Sequence, residues 1–240
     1  MQRSNSKEAL NLYAKVEDLL DIKEYAKKLY SYYYPLLDRL EFNSLLDIGC
    51  GRGEFLEEVK GRYNFNTLKG VDKSDYMASL AKKRNLDVIS GSIKDIKESF
   101  DIATATFDMV NYLTPFEFIE FFKDLKRVVK SGGYFIFDVN SEFGLSDLAV
   151  GNFIAEDGSR FLAIESFYEG GVYDSTFTLF ERDKNCYKKF SESISQYYYS
   201  KEFFELLDGW KLEEELPIKL YDMEMPDKVI YILKREDETK

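Results

Sequence analysis

The sequence predicts an α/β protein, built from short apolar strands that alternate with amphipathic helices. Three observations carry that reading. A brief apolar run, Leu45, Leu46 and Ile48, leads straight into glycines at 49, 51 and 53, and Phe55, Leu56 and Val59 then recur at helical spacing. Comparable apolar runs return at 68–72, 86–90, 100–105 and 134–139. Beyond residue 140 the pattern becomes alternating segments divided by glycine turns, which reads as an antiparallel meander inserted late in the topology.

The glycine turn is the most informative stretch. The backbone there must turn sharply and come within contact distance of a ligand, which a Cβ would block. A ligand above it meets the unpaired N–H groups of the new helix. The spacing is G-x-G-x-G, and Glu54 stands where a nicotinamide fingerprint would place its third glycine. Asp47, two residues before the first glycine, is badly placed for a pyrophosphate but well placed near an ammonium group or the water around it. Asp72 ends the next apolar run, and an acid at that point suits a ribose diol. The site asks for a ribose at one end and a zwitterion at the other.

Residues 44 to about 140 resemble the class I S-adenosylmethionine-dependent methyltransferases, with Asp47-Ile-Gly-Cys-Gly-Arg-Gly53 as the first motif. The resemblance implies a doubly wound, seven-stranded, mostly parallel sheet, with S-adenosyl-L-methionine as cofactor and S-adenosyl-L-homocysteine as product. It implies cofactor contacts from Asp47, Gly49, Gly51, Gly53, Asp72, Lys73, Met77, Ser92, Ile93, Thr106 and Phe107. Relatives often carry an acid at the position of Ser92, so adenine recognition here is expected to lean on backbone and on Ile93. In such enzymes an N-terminal tyrosine often covers the cofactor. Tyr13 is the best match, although the usual following Asp is replaced by Ala14.

Taken in order, residues 6–40 read as two amphipathic helices forming a cap on the sheet edge, with Pro35 set to bend or restart the second. Residues 54–60 continue as the first sheet helix, and Leu68–Asp72 is the second strand. Ser74 is placed to cap a helix over Asp75–Arg84. Leu86–Ser90 is a third strand. Phe100–Ala105 is a fourth, small and β-branched as a buried central strand should be. A helix over 115–130 starts near Pro115 and ends at Ser131-Gly-Gly133, before a fifth strand, Tyr134–Val139, with Asp138 and Asn140 at its carboxyl end. Residues 141–157 read as irregular. Phe161–Tyr168, Val172–Glu181 and Tyr187–Tyr199 form the meander, a substrate lid in the resembled family. A helix over Lys201–Leu207 and strands at Lys211–Leu220 and Lys228–Lys234 close the sheet, and the charged tail 235–240 is expected to fray. The expected organisation is one domain: cap 1–40, cofactor-binding core 41–140, lid 141–199 and closing elements 200–240.

Composition narrows the partners. Lys+Arg 33 against Asp+Glu 44 gives a net charge of −11, which would repel a polyanion, so nucleic acid is not an expected partner. Two cysteines and no histidine offer neither a disulfide framework nor a zinc cluster, and no metal is expected. Neither a signal peptide nor a membrane-spanning run is evident, and the expected location is the cytoplasm. Any general base must be Asp, Glu, Tyr, Lys or Cys, or the reaction needs none.

Residues 106–112 follow the fourth strand and should border both the methyl group and its acceptor. The chain has neither the Pro-Pro of the DNA amino-methyltransferases nor the Pro-Cys of the cytosine C5 enzymes. The stretch from Phe107-Asp108 onward resembles the small-molecule N-methyltransferases, including those that dimethylate amino sugars. Asp108 is the candidate to attract or deprotonate an ammonium substrate, and Tyr112 to orient it. Asp108 has a competing reading as a helix cap. The expected activity is methyl transfer to a small-molecule acceptor at nitrogen or oxygen, by a monomer or homodimer. The rival readings are a catalytically silent cofactor-binding regulator or scaffold and, disfavoured by Glu54 and Asp47, a dinucleotide oxidoreductase.

Overall fold

The computed structural model describes residues 4–20 and 22–236. The chain passes through α1 (Lys7–Val16), α2 (Ile22–Leu37), β1 (Ser44–Ile48), α3 (Glu54–Arg62), β2 (Thr67–Asp72), α4 (Asp75–Lys83), β3 (Val88–Ser90) and β4 (Phe100–Ala105). It continues through α5 (Pro115–Val128), β5 (Val129–Asn140), β6 (Gly151–Glu156), β7 (Arg160–Glu169), β8 (Val172–Asp183) and β9 (Cys186–Tyr197). The last elements are α6 (Lys201–Glu205), β10 (Trp210–Ile218) and β11 (Lys228–Arg235). The fraying expected of the tail lies, from residue 237 on, outside the described residues.

Seven strands form the main sheet in the order β10-β11-β5-β4-β1-β2-β3. The five strands from β5 to β3 run parallel, while β11 pairs antiparallel with both β5 and β10. This is the doubly wound, Rossmann-like methyltransferase architecture that the sequence predicts. Strand order reverses between β1 and β4, so the carboxyl ends of those two strands open a crevice for ligands. One face of the sheet packs Leu29, Tyr33 and Leu37 of α2, Phe55 and Val59 of α3, and Ala78 and Ala81 of α4. The other packs an aromatic layer, Phe118 and Phe122 of α5 with Phe135, Phe137 and Phe204.

A second sheet, in the order β6-β7-β8-β9, is antiparallel throughout. Gly170 and Gly171 both adopt left-handed φ (58° and 81°), which suits the tight two-residue turn between β7 and β8. The inward face of this sheet carries Leu162, Ile164, Phe177, Leu179 and Ile194, and these pack on Ala9, Leu12 and Val16 of α1. The first helix therefore lies on the meander and not on the edge of the main sheet, as the sequence pattern suggests. Its buried stripe runs through Ala9, Leu12 and Val16, which leaves Leu10 and Tyr13 facing the crevice.

Three further departures have physical causes. α2 runs unbroken through Pro35, because burial of Tyr33, Leu36 and Leu37 holds its last turn in place. β5 begins at Val129 and not at Tyr134. The glycines at 132 and 133, read as a helix stop, sit within the strand, where the register against β4 slips between Phe100 and Ile102. The stretch 151–156, read as irregular, is the outer strand β6. Most of its residues are exposed, so no alternation of polar and apolar positions marks it.

Candidate active site

A cavity of about 500 Å³ lies beyond the carboxyl ends of β1, β2 and β4, with α1 over it. Its floor is the glycine turn. Gly49 N–H and Cys50 N–H both donate to the Val71 carbonyl (2.8 and 3.1 Å), which ties the turn to the end of β2. Gly51 adopts φ +53°, and a Cβ there would meet nothing within 4 Å, so open space lies directly above the loop. Gly53 differs: it is absent from the cavity wall, and a Cβ there would strike Leu86 and Ala81, so its bareness lets the α3 start pack closely against α4 and the segment after it.

Two carboxylates belong to this end. Asp72 lines the cavity, accepting from Gly51 N–H through Oδ2 and from Ser74 N–H through Oδ1, each at 2.8 Å. Burial pushes its pKa up while those two amide donors pull it down. Asp47 is fully buried behind the turn. Thr104 Oγ1–H donates to its Oδ1 at 2.8 Å, and its Oδ2 has no partner among the described residues. Burial, opposed by the Thr104 hydrogen bond and reinforced by the Asp72 charge, raises its pKa to about 7.

That shift has a signed consequence. A carboxyl whose folded pKa lies above its unfolded value of 3.8 binds its proton more tightly in the folded state, so stability falls as pH rises between about 4 and 7. The ligand-free protein is expected to lose roughly 2–3 kcal/mol from this group between pH 5 and pH 8. Asp47→Asn should flatten that part of the profile, which urea denaturation at the two pH values would show.

Lys73, Met77, Ser92, Ile93, Thr106 and Phe107 all line the same cavity. Ser74 caps α4 by accepting from Met77 N–H, which sets Met77 at the helix start. The Ser92 hydroxyl is engaged in its own turn: it accepts from Lys94 N–H at 3.3 Å and donates to Asp95 Oδ2 at 3.2 Å. An acid is thus present three residues beyond the position where relatives carry one, but it does not line the cavity.

The opposite end is shaped by a strained turn. Phe107 and Asp108 have successive left-handed φ values of 58° and 50°, rare for residues other than glycine. Asp138, fully buried at the end of β5, holds the turn. Its Oδ1 accepts from Phe107 N–H at 2.8 Å and from the Tyr33 hydroxyl at 2.8 Å, and its Oδ2 accepts from Asp108 N–H at 2.9 Å. The Asp108 side chain caps no helix. It stands behind the cavity wall, pairs with Lys228 and accepts from Gln196 Nε2–H. Tyr13 and Tyr112 line the cavity on this side. Burial raises the pKa of both hydroxyls, and Asp108, Tyr173 and Tyr221 lie close enough to add to that rise.

Several cavity residues carried no signal in the sequence. Arg52, within the glycine motif, reaches the N-terminal cap: its guanidinium donates to the Ala14 carbonyl at 2.9 Å and pairs with Glu17 at 2.7 Å. Asn5 bridges Tyr112 and the lid, donating to the carbonyls of Tyr112 (3.0 Å) and Ser195 (2.8 Å) and accepting from Ser195 N–H. The Arg52 contact to Ala14 joins segments 38 residues apart and those of Asn5 segments more than a hundred apart, beyond the reach of any local pattern.

Among the described residues no cluster could hold a metal ion, and no helix is long and apolar enough to cross a membrane. Residues 45–133 match the methyltransferase-domain family. YqeM of Bacillus subtilis, named as a methyltransferase, is 26% identical over 170 residues, covering 65% of this chain and 67% of that protein. A crystal structure of an S-adenosylmethionine-dependent methyltransferase from Clostridium acetobutylicum superposes with a TM-score of 0.73 at 24% identity, covering 95% of this chain and 98% of that one. The sugar N-methyltransferase KedS8 of Streptoalloteichus gives 0.68 at 19% identity, covering 99% and 96%. The chain thus carries a methyltransferase domain over residues 45–133, and its sheet order and glycine-turn motif make it similar to the class I S-adenosylmethionine-dependent methyltransferases.

Proposed function

We propose that this methyltransferase acts on an amine nitrogen of a small polar molecule of about sugar size. The observation that carries the reading is that Tyr13 and Tyr112 line the cavity with the Asp108 carboxylate close behind them. A carboxylate beside hydroxyls suits a cationic group among polar ones, and the name of KedS8 points to the same chemistry in a protein of like fold.

The residues present fit the cofactor. The open space over Gly51 admits a backbone-hugging amino-acid moiety, and the orphaned Oδ2 of Asp47, buried behind the turn, offers an acceptor that its ammonium group would reach through water. Asp72 retains lone pairs for two ribose hydroxyls after its two amide bonds. Met77, Ile93 and the backbone around Ser92 would flank adenine, and Lys73, Thr106 and Phe107 would border the nucleoside and the methyl group. When bound, the cofactor supplies an electrophilic methyl on a sulfonium, and the protein's part is orientation and exclusion of water. Holding the nucleophile and methyl in line at about 3–3.5 Å accounts for roughly 7–11 kcal/mol of barrier. Asp108 would draw the amine in as its ammonium and the two tyrosine hydroxyls would align it; the ammonium would give up its proton to solvent, and the neutral amine would then form the N–C bond as the S–C bond breaks, so no histidine is needed. The α1–meander unit would act as the lid, and the chain as one domain.

The test is formation of S-adenosylhomocysteine from S-adenosylmethionine across a panel of amino sugars, amino acids, polyamines and their hydroxyl counterparts. Turnover is expected with amines, with kcat/KM down about 10–100-fold in Asp108→Asn, the worth of one charge-assisted hydrogen bond. Unchanged turnover in both Asp108→Asn and Tyr112→Phe would remove those roles. Cofactor binding with no turnover on any acceptor would leave a silent binder.

A further inference from the structure

Lys228 is the first residue of β11, and its side chain is 1% exposed. Its ammonium donates to Asp108 Oδ1, to Asp138 Oδ2 at 3.1 Å and to Asn140 Oδ1 at 2.9 Å, so all three protons are engaged. The Phe107 ring lies 6.0 Å from it. Burial alone would depress this ammonium, but the Asp108 and Asp138 carboxylates outweigh burial and hold it protonated. Among the described residues no other lysine or arginine pairs with either carboxylate.

Two consequences follow. Lys228 fixes Asp108 against Asp138, the residue that already binds the backbone of the strained 107–108 turn, so the carboxylate facing the tyrosines cannot swing. One ammonium between two carboxylates also leaves this cluster with one net negative charge, which favours a cation over an anion beside it. We propose that Lys228 is a positioning residue that shapes this end of the cavity into a subsite for a single alkylammonium group, excluding anionic acceptors. The inference rests on the amine reading given above and adds to it the residue that selects the acceptor's charge.

The groups facing Lys228 and Asp108 come from every element around them. They are Asp138 and Asn140 on β5, Tyr33 on α2, Gln196 on β9, Tyr221 after β10, and Tyr13, Tyr112 and Tyr173. Burial holds all five tyrosines above the usual tyrosine range, so none of them titrates between pH 6 and 8. Without Lys228 the two carboxylates would face each other with no cation between them.

The test uses the full chain saturated with S-adenosylhomocysteine and compares glucosamine with glucose by calorimetry. Wild type is expected to bind glucosamine at least about 10-fold more tightly, with a preference that is flat from pH 6 to 7. Lys228→Gln should hold S-adenosylhomocysteine within about 2-fold of wild type and reduce the preference to about 2-fold. A merely structural role would lower the melting temperature and leave the preference for glucosamine over glucose unchanged. Equal binding of the two sugars by wild type overturns the amine reading itself. A wild-type preference that survives Lys228→Gln but disappears in Asp108→Asn overturns the role of Lys228 and leaves the amine reading standing. Should Lys228→Gln not fold, Asn140→Ala, which frees one of the three protons of the ammonium and leaves both carboxylates in place, carries the test. Loss of preference there supports positioning, and retention of the full preference refutes it.

Discussion

Asp72→Ala is expected to raise the dissociation constant for S-adenosylhomocysteine about 100-fold and to erase most of the ligand's thermal stabilisation. Its carboxylate would accept from two ribose hydroxyls on the proposed seating, and a hydrogen bond to a charged group contributes about 1.5–3 kcal/mol. Losing close to 3 kcal/mol is about two decades of affinity. At a ligand concentration one hundred times the wild-type dissociation constant, the wild-type protein gains about 2.7 kcal/mol, or roughly 5–10 °C in Tm. The variant, with the same ligand near its new dissociation constant, would gain only about 1 °C. Asp72 also accepts from Gly51 N–H and Ser74 N–H, so the substitution loosens the turn as well as removing the ribose contact. Asp72→Asn separates the two effects, since its amide oxygen still accepts from one of those donors. An Asp72→Ala protein that melts cooperatively and keeps the full ligand shift would show that the ribose lies elsewhere.

The cofactor side of this protein was legible because its information is local. Strand, glycine turn and helix follow one another within a dozen residues, and Asp47, Gly51 and Asp72 lie at the ends of adjacent parallel strands, so sequence order almost repeats spatial order. The end of the cavity proposed for the acceptor was legible only in part. Asp108 and Tyr112 stood out because they follow β4 at the topological switch, yet their surroundings come from Asn5, Gln196, Tyr221 and Lys228. Lys228 is the clearest case. It precedes the apolar run Val229–Leu233, and a lysine at a strand start ordinarily reads as a solvated end. Only the antiparallel pairing of β11 with β5, which sets Lys228 opposite Asn140, turns it inward to the carboxylates. The missed strand β6 and the misjudged seat of α1 share another cause. Edge strands and helices that pack on small sheets carry weak periodicity, and tertiary contacts decide their place.

Asp138→Ala is expected to cost about 3–5 kcal/mol of folding stability, the usual consequence of removing one partner from a buried ion pair. The residue gathers four donors on one carboxylate: Phe107 N–H, Asp108 N–H, the Tyr33 hydroxyl and the Lys228 ammonium. Two of these are consecutive backbone amides in left-handed conformation, held there against an intrinsic cost of about 1–3 kcal/mol each. Without the carboxylate the amides lose their acceptor and the turn loses the contact that compensates its strain. Relaxation toward ordinary φ values would swing Asp108 away from Tyr13 and Tyr112. Stability and acceptor binding should therefore fall together, while the affinity for S-adenosylhomocysteine, set at the other end of the cavity, changes by no more than a few-fold. Tyr33→Phe removes one donor, leaves both backbone bonds in place, and should cost only about 1 kcal/mol. Urea denaturation of the two variants, with calorimetric titration of S-adenosylhomocysteine, checks the ordering. If Asp138→Ala costs no more than Tyr33→Phe, the left-handed turn holds itself, and the rigidity ascribed to Asp108 has another source.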